Sequence, residues 1–461
     1  MQQKFPSCWK LTKVIPLHKK NSVLNKENYR PVSLLSPLSK ILEKAIHGQI
    51  YDYFSRNNLF HSSLHGYRRN RSTSTALLSL YDKWALASDK GYVSGVVLVD
   101  LSAAFDLVRS DLLIEKLRLY GLDHDFTAWI YSYLTSRYQS VWIDHLYSDF
   151  IENSIGVPQG SILGPLLFLI FFNDLPTFIE KEVECYADDS TLSAMGKNGQ
   201  EIGEFLTRDC DQLCKWMEGN KFKLNATKTN LMVMGTTAKI KNVSGTLNVS
   251  MDSCQLKETT SDGEMLLGVS LQKNLKWSKH ISYLTTKLNS RIIGLEKIKR
   301  IMNRKKRKNI VEGIFNSVLC YGITLFGGCT KQELKSLQVQ QNRAARLVVG
   351  APPRTNTRWV FDQLSWFTVN QLIAYHTLIM VFRIRQSKEP ESLATQLLQD
   401  SRQGRIVLKK VNLDLYKNSF VYRGSLLWNS LPHSYRAEEK ISCFKKNIRS
   451  WITANIEDFP C

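Results

Sequence analysis

The chain has no long apolar run. Its most hydrophobic stretch, Ile162 to Phe172, spans 11 residues and contains Gly164 and Pro165. That is too short for a membrane span and suits a buried core helix. Met1 to Lys20 is polar and basic, without the apolar segment of a signal peptide. A membrane partner is therefore not expected. Cysteine is present without pattern: nine residues at irregular spacing and no C-x-x-C. Cys210 and Cys214 stand one helical turn apart, with no second Cys or His pair nearby to complete a zinc site. Reduced thiols in an intracellular protein are the expectation. Neither G-x-x-x-x-G-K-[ST] nor G-x-G-x-x-G occurs, which leaves a P-loop or a dinucleotide site without support. Acidic residues are also scarce, 41 against 62 Lys and Arg, for a net charge of +21. Such an excess favours a polyanionic partner. Apolar content of 43% over 461 residues is that of a globular chain with room for two to four domains.

Against that background the few carboxylates stand out where they cluster. Tyr186-Ala187-Asp188-Asp189 lies between two short β-prone runs, Val183-Glu184-Cys185 and Ser190-Thr191-Leu192. The pattern predicts a hairpin with the acids at its tip. A third carboxylate, Asp100, ends the apolar run Gly95-Val96-Val97-Leu98-Val99. Three such groups repel one another unless cations join them. Hard oxygen ligands in that number suit Mg2+. Two ions about 4 Å apart would clamp the attacking and leaving oxygens of a phosphoryl transfer.

Cationic and aromatic residues surround this candidate centre in the sequence. Alternating basic and apolar residues from Trp9 to Lys20 and from Asn28 to Leu35 predict strands with one cationic face. Lys19 and Arg30 are candidates for holding a triphosphate, Arg30 biased towards extended backbone by Pro31. An amphipathic helix is expected over Ser39 to Phe54, and another after a cap at Ser72 or Thr73. Between them, Tyr67 with Arg68, Arg69 and Arg71 suits a nucleic-acid backbone and a stacked base. Phe105, five residues after Asp100, could close against a sugar C2′, although core packing is the commoner role of a phenylalanine. A turn-rich segment, Gly156 to Pro165, brings Gln159 within reach of a base or sugar and feeds an apolar helix. Lys228 is a candidate for contacting a pyrophosphate leaving group. Leu266 to Val269 and Leu275 to Trp277 suggest a further hairpin. From His280 the pattern turns helical, and Arg291 to Lys308 carries nine cations against Glu296 alone. Such a run binds phosphates or forms a solvated face.

In order, the chain contains Ile15-Pro16…Lys19, Asn28-Tyr29-Arg30-Pro31-Val32-Ser33-Leu34-Leu35, Gly66-Tyr67-Arg68…Arg71-Ser72-Thr73 and Asp100…Ala104-Phe105-Asp106. Then come Pro158-Gln159-Gly160-Ser161-Ile162-Leu163-Gly164-Pro165, Tyr186-Ala187-Asp188-Asp189, Leu224-Asn225…Lys228-Thr229 and Leu267-Gly268-Val269. Together these resemble the reverse transcriptase of non-LTR (LINE-type) retrotransposons, most like the jockey/CR1 group, over residues 9 to about 275. Gln341 to Arg346 and Leu427 to Pro432 are similar to the C-terminal region of such elements.

The resemblance implies an α+β right-hand polymerase: fingers over 1–85 (N-terminally truncated), palm over 86–275, basic thumb over 276–350 and a helical C-terminal region over 351–461. It implies catalytic and metal-binding roles for Asp100, Asp188 and Asp189 with two Mg2+, Mn2+ being a possible substitute. Lys228 would be a general acid. Lys19 (or Lys20), Arg30, Phe105 and Gln159 would bind the nucleotide, with Phe105 as a sugar gate. Tyr67, Arg68, Arg71 and Gly268 would contact template or primer. The implied partners are an RNA template, a DNA primer at a nicked target, and dNTPs. The implied setting is a cytoplasmic ribonucleoprotein and the nucleus. Such elements carry an endonuclease before the polymerase, and the chain is expected to lack it and so not to nick its own target. A viral-type RNA-dependent RNA polymerase and a decayed copy that only binds nucleic acid are the rival readings.

Overall fold

The run Val93–Val99 is apolar on both sides of its pleat because both faces of its strand are covered, the pattern of a strand buried within a sheet. In the computed structural model, which describes residues 4–19, 22–101, 104–223, 229–252, 254–400 and 402–456, this strand (β3) is central. The others are β1 (Leu11–His18), β2 (Tyr29–Leu34), β4 (Arg137–Ile143), β5 (Leu146–Tyr147), β6 (Ile151–Asn153), β7 (Glu182–Tyr186), β8 (Asp189–Gly196) and β9 (Asn230–Met234). An antiparallel sheet runs in the order β7-β8-β3-β9. Its two faces feed two cores. Val97 and Val99, with Leu192, Leu231 and Val233, pack with Ile202 and Leu206 of the helix Gly199–Gly219. Val96, Met232 and Met234 join Leu77, Tyr81 and Trp84 of helix α2 (Thr73–Asp89). Gly95 permits the first contact, since a Cβ there would lie 2.5 Å from Ile202.

A second sheet orders its strands β2-β1-β4-β5, with β6 also on β4, and only the β1–β4 pair is parallel. Helix α1 (Pro37–Arg56) follows β2. Helix α2 begins where a cap was expected: the Ser72 side chain accepts from the Thr75 amide while Thr75 reaches back to the Ser72 amide. Two expectations change. Leu275 to Trp277 is no strand but the lead into the helix Ser278–Ile298; the hairpin is Gly263–Leu266 with Val269–Gln272, turning at Leu267-Gly268. The basic run is not one helix either. It breaks after Ile298 and restarts at Arg304, where the Asn303 side chain accepts from the Lys306 amide. Among the described residues, no helix is long and apolar enough to cross a membrane.

The α+β class expected from the sequence is the class observed. Among the described residues, 351–456 is mostly helical, as expected, yet it forms no core of its own. Phe382, Trp428 and Phe444 share one core with Leu77 and Trp84 of α2. Polar contacts follow the same path. Asp89 accepts from the Asn412 and Leu413 amides, and Asp82 from the Val421 amide. The Ser79 and Ser392 hydroxyls lie 2.8 Å apart. Helix α2 is therefore sandwiched between the β7–β9 sheet and the C-terminal helices.

Candidate active site

Strand pairing gathers the three acids. Tyr186 pairs with Asp189, so Ala187 and Asp188 form a two-residue hairpin loop. Ala187 takes a φ of 56°, the left-handed geometry that primed turns demand of their first central residue. Val99 pairs with Ser190, which puts Asp100, one residue on, opposite Asp189. Burial raises the Asp188 carboxyl above the ordinary range and Asp100 adds to the shift, while Lys19 and Arg30 oppose it. Burial, with the charges of Asp188 and Asp100, pushes Asp189 up to about 6.

The hairpin rests on main chain. The His65 amide donates to Cys185 O at 2.8 Å, and the Cys185 amide to Ser63 O at 2.9 Å. Gly66 passes so close beneath the tip that a Cβ on it would lie 2.5 Å from the Ala187 nitrogen. Sequence reading missed the polar support behind this edge. Buried Glu184 binds the His65 ring nitrogen at 2.7 Å, accepts from the Ser79 hydroxyl at 2.8 Å and pairs with Lys83 at 3.0 Å. A glutamate alternating with Val183 and Cys185 was the available signal, since alternation turns it towards α2.

Burial alone would push the Glu184 carboxyl up, but the His65 hydrogen bond and the Lys83 charge hold it at about 2, below its ordinary 4.5. A depressed carboxyl stabilises the fold above its unfolded pKa and loses that effect as pH falls through the folded value. Wild type should therefore be more stable than Glu184→Gln at pH 6, and the gap should narrow as pH drops from 4.5 towards 2. Chemical denaturation across that range checks it; a constant gap would contradict the assignment.

Of the residues expected to hold a nucleotide, Arg30 pairs with Leu17 across β1 and β2, and the Lys19 amide bonds Asn28 O, so both exposed cations sit at one end of that ribbon. Phe105 stacks on Phe168 at 4.3 Å and meets the Tyr67 ring edge-on at 6.0 Å. Tyr67, at a φ of 58°, is half exposed, and burial together with the nearby Asp188 charge raises its hydroxyl pKa. Gln159 donates to Asp106 at 2.8 Å, while its carbonyl accepts from the Ser33 amide. That turn leads into a helix N-terminus capped from afar: buried Glu43 of α1 accepts from the Ile162 and Leu163 amides. An acid on the buried stripe of α1 was its only mark in the sequence.

Arg68 and Arg71 correct the sequence reading, because the structure does not offer them to a template or primer. Their side chains are 7% and 2% exposed, and both pair with Glu389. The Nη1 group of Arg68 donates to the carbonyls of His61 and Leu64, and that of Arg71 to the carbonyls of Ser62 and Leu64. A buried guanidinium needs a charge partner and several acceptors, and 61–64 with Glu389 supply both. Of the residues paired with them in that reading, Tyr67 stays half exposed near Asp188, and Gly268 lies under the Tyr321 ring. Lys228 and Lys20 lie outside the described residues.

The acids, then, are neighbours flanked by two cations and an aromatic floor. Among the described residues, no three His, Cys, Asp or Glu side chains converge tightly enough to hold a metal ion. The donor set nevertheless fits a hard divalent cation in kind: carboxylate oxygens whose mutual repulsion a cation would relieve.

Residues 17–288, more than half of the chain, match the family model of reverse transcriptase (RNA-dependent DNA polymerase). Over 406 residues the chain is 27% identical to the Probable RNA-directed DNA polymerase from transposon BS of Drosophila melanogaster, covering 83% of this chain and 43% of that protein. It is 26% identical over 409 residues to the RNA-directed DNA polymerase from mobile element jockey of the same species, covering 85% and 43%. The chain thus spans less than half the length of these curated relatives. Among solved structures it is similar to apo telomerase from Candida Tropicalis, with a TM-score of 0.45 and 11% identity over 96% of this chain and 69% of that one. The resemblance drawn from the motifs is borne out: the chain belongs to the reverse transcriptase (RNA-dependent DNA polymerase) family.

Proposed function

We propose that this chain is the RNA-directed DNA polymerase of a non-LTR retrotransposon, adding deoxynucleotides to a primer 3′-hydroxyl on an RNA template. One observation carries the reading: β-pairing sets Asp100 opposite Asp189 beside Asp188, and the charges of Lys19 and Arg30 act on that cluster. Asp100, Asp188 and Asp189 would hold two Mg2+, or Mn2+, which supply Lewis acidity for a primer hydroxyl and a departing pyrophosphate. Lys19 and Arg30 would neutralise a triphosphate. Positioning and charge stabilisation are most of what phosphoryl transfer asks of a protein. Phe105 is held flat against Phe168, and a ring fixed in that way can refuse a 2′-hydroxyl. Priming by the 3′-end of a nicked chromosomal target, with an element-encoded endonuclease making the nick, completes the proposal. The work would begin in a cytoplasmic ribonucleoprotein and end in the nucleus.

The test is extension of oligo-dT on poly(rA). Wild type should incorporate dTTP and reject UTP. In Phe105→Ala the discrimination should fall on the order of 10²-fold, the scale on which pocket shape separates close analogues. Unchanged selectivity would remove Phe105 from the gate. Preference for UTP in wild type would favour an RNA polymerase, and binding without extension a decayed copy.

A further inference from the structure

A cavity far along the chain from the acids carries chemistry without a task. It opens among the helices Lys331–Val349, Thr357–Leu364, Val369–Ser387 and Ile441–Asn455. Among the described residues, no strand contributes to its lining. Its volume is about 550 Å³, within the range of about 300–1,000 Å³ typical of small-molecule sites.

One wall is the loop 363–367, and it is pinned. Arg304 donates to Gln363 O at 3.1 Å and Lys308 to Leu364 O at 3.1 Å. Arg449 donates to Ser365 O at 2.6 Å and Gln341 to Phe367 O at 2.8 Å. Four carbonyls of one short loop are thus caught by side chains from three helices. Trp366 is fixed as well: its indole N–H donates to Glu312 at 2.9 Å, and Phe361 meets its ring edge-on at 6.5 Å. The Arg449 guanidinium lies 4.7 Å from the centre of the Phe367 ring.

Other polar groups around the cavity have no such duty. Among the described residues, the exposed Arg358 side chain makes no hydrogen bond or ion pair, and the Asp362 carboxylate is likewise unpaired. The Asn342 oxygen accepts from Gln338 at 2.8 Å, while its NH2 group has no acceptor among the described residues. Each of these parts answers to a part of a nucleotide. A guanidinium suits a phosphate, and a fixed ring suits the face of a base. An amide and a carboxylate can bond the acceptors and donors on a base edge. A phosphate alone would leave the rings and the carboxylate idle, and an apolar ligand would leave Arg358 unpaired. The chain's net charge of +21 favours the anion.

We propose that this cavity is a nucleotide site separate from the acidic centre, taking a free nucleotide or one unpaired residue of a single strand. Arg358 and the remaining donors of Arg449 hold the phosphate, Trp366 supports the base, and Asp362 with Asn342 reads its edge. Nucleotidyl transfer does not require such a site, so it goes beyond the polymerase reading.

The test uses the full chain with excess primer–template duplex, which fills the polymerase cleft. A single-stranded RNA decamer carrying 4-thiouridine is added and irradiated, and its adducts are mapped by mass spectrometry. They should fall between Arg358 and Phe367. Arg358→Glu should weaken decamer binding about tenfold, the scale of one charge-assisted hydrogen bond, without moving the melting temperature. Lys409→Glu, an equal charge change at an exposed position outside the cavity, should alter binding by less than about twofold. Displacement of the decamer by millimolar AMP would assign the site to free nucleotides, and displacement by unlabelled decamer alone would assign it to a strand. Adducts confined to other parts of the chain, or wild-type affinity in Arg358→Glu, would overturn the proposal. Equal losses in both variants would also overturn it, since they mark unspecific attraction to positive charge. A chain that labels here but never extends a primer counts against the polymerase reading and leaves this site standing.

Discussion

Asp188→Asn should abolish extension of oligo-dT on poly(rA) while leaving the protein folded. Asparagine keeps the shape of the side chain and tolerates turn geometry, so the two-residue loop over Gly66 need not move. What is lost is one charge of three. Metal-assisted charge stabilisation is worth several kcal/mol, so the rate should drop on the order of 10³-fold or more. Stability should hold or rise slightly, because Asp188 and Asp189 are both raised by burial and by neighbouring negative charge. Extension assays beside thermal melts separate the two effects. A variant within tenfold of wild type would remove Asp188 from the centre, and a collapsed melting curve would make the activity result uninformative about charge.

A second large effect is expected far from the acids. Glu389→Ala strands the guanidiniums of Arg68 and Arg71, both buried and both paired with it. Removing one partner of a buried ion pair typically costs 3–5 kcal/mol, and about 3 is expected here, because a third of Glu389 faces water. Activity should fall with stability. The two arginines hold the carbonyls of His61, Ser62 and Leu64, and Ser63 and His65 pair with β7 at Cys185. Glu391→Ala, at an exposed position two residues on, should change stability by less than about 0.5 kcal/mol. Urea titration of both variants checks the contrast; equal midpoints would show that Glu389 is not a strut.

These cases also mark what could be read in advance. The acidic hairpin was legible because its information is local: β-prone runs, a two-residue turn and acids that tolerate it. So were α2, through a cap expected at Ser72 or Thr73 and found at Ser72, and β3, through its short apolar run. Arg68 and Arg71 were misread because a cluster of arginines beside a tyrosine looks the same whether it faces a phosphate or a glutamate more than 300 residues away. Nothing in the neighbourhood of Glu389 announces that pairing. Glu43 and Glu184 were hidden by the same logic, as acids whose partners come from elsewhere in the chain. Leu275 to Trp277 was apolar enough for a strand, but Leu275, with a φ of 57°, closes a turn instead.

The support beneath the acidic tip has an evolutionary corollary. Ser63 and His65 grip Cys185 through amides and carbonyls, and Gly66 meets Ala187 backbone to backbone. Main-chain bonds make no demand on side-chain identity, so the residue at 63 is free to drift without disturbing the tip, whereas Cys185 answers to the core it is buried in. Position 66 is pinned by the tip itself, because any side chain there collides. A centre built this way can survive extensive divergence around it, and two copies differing at three positions in four can still present their acids alike.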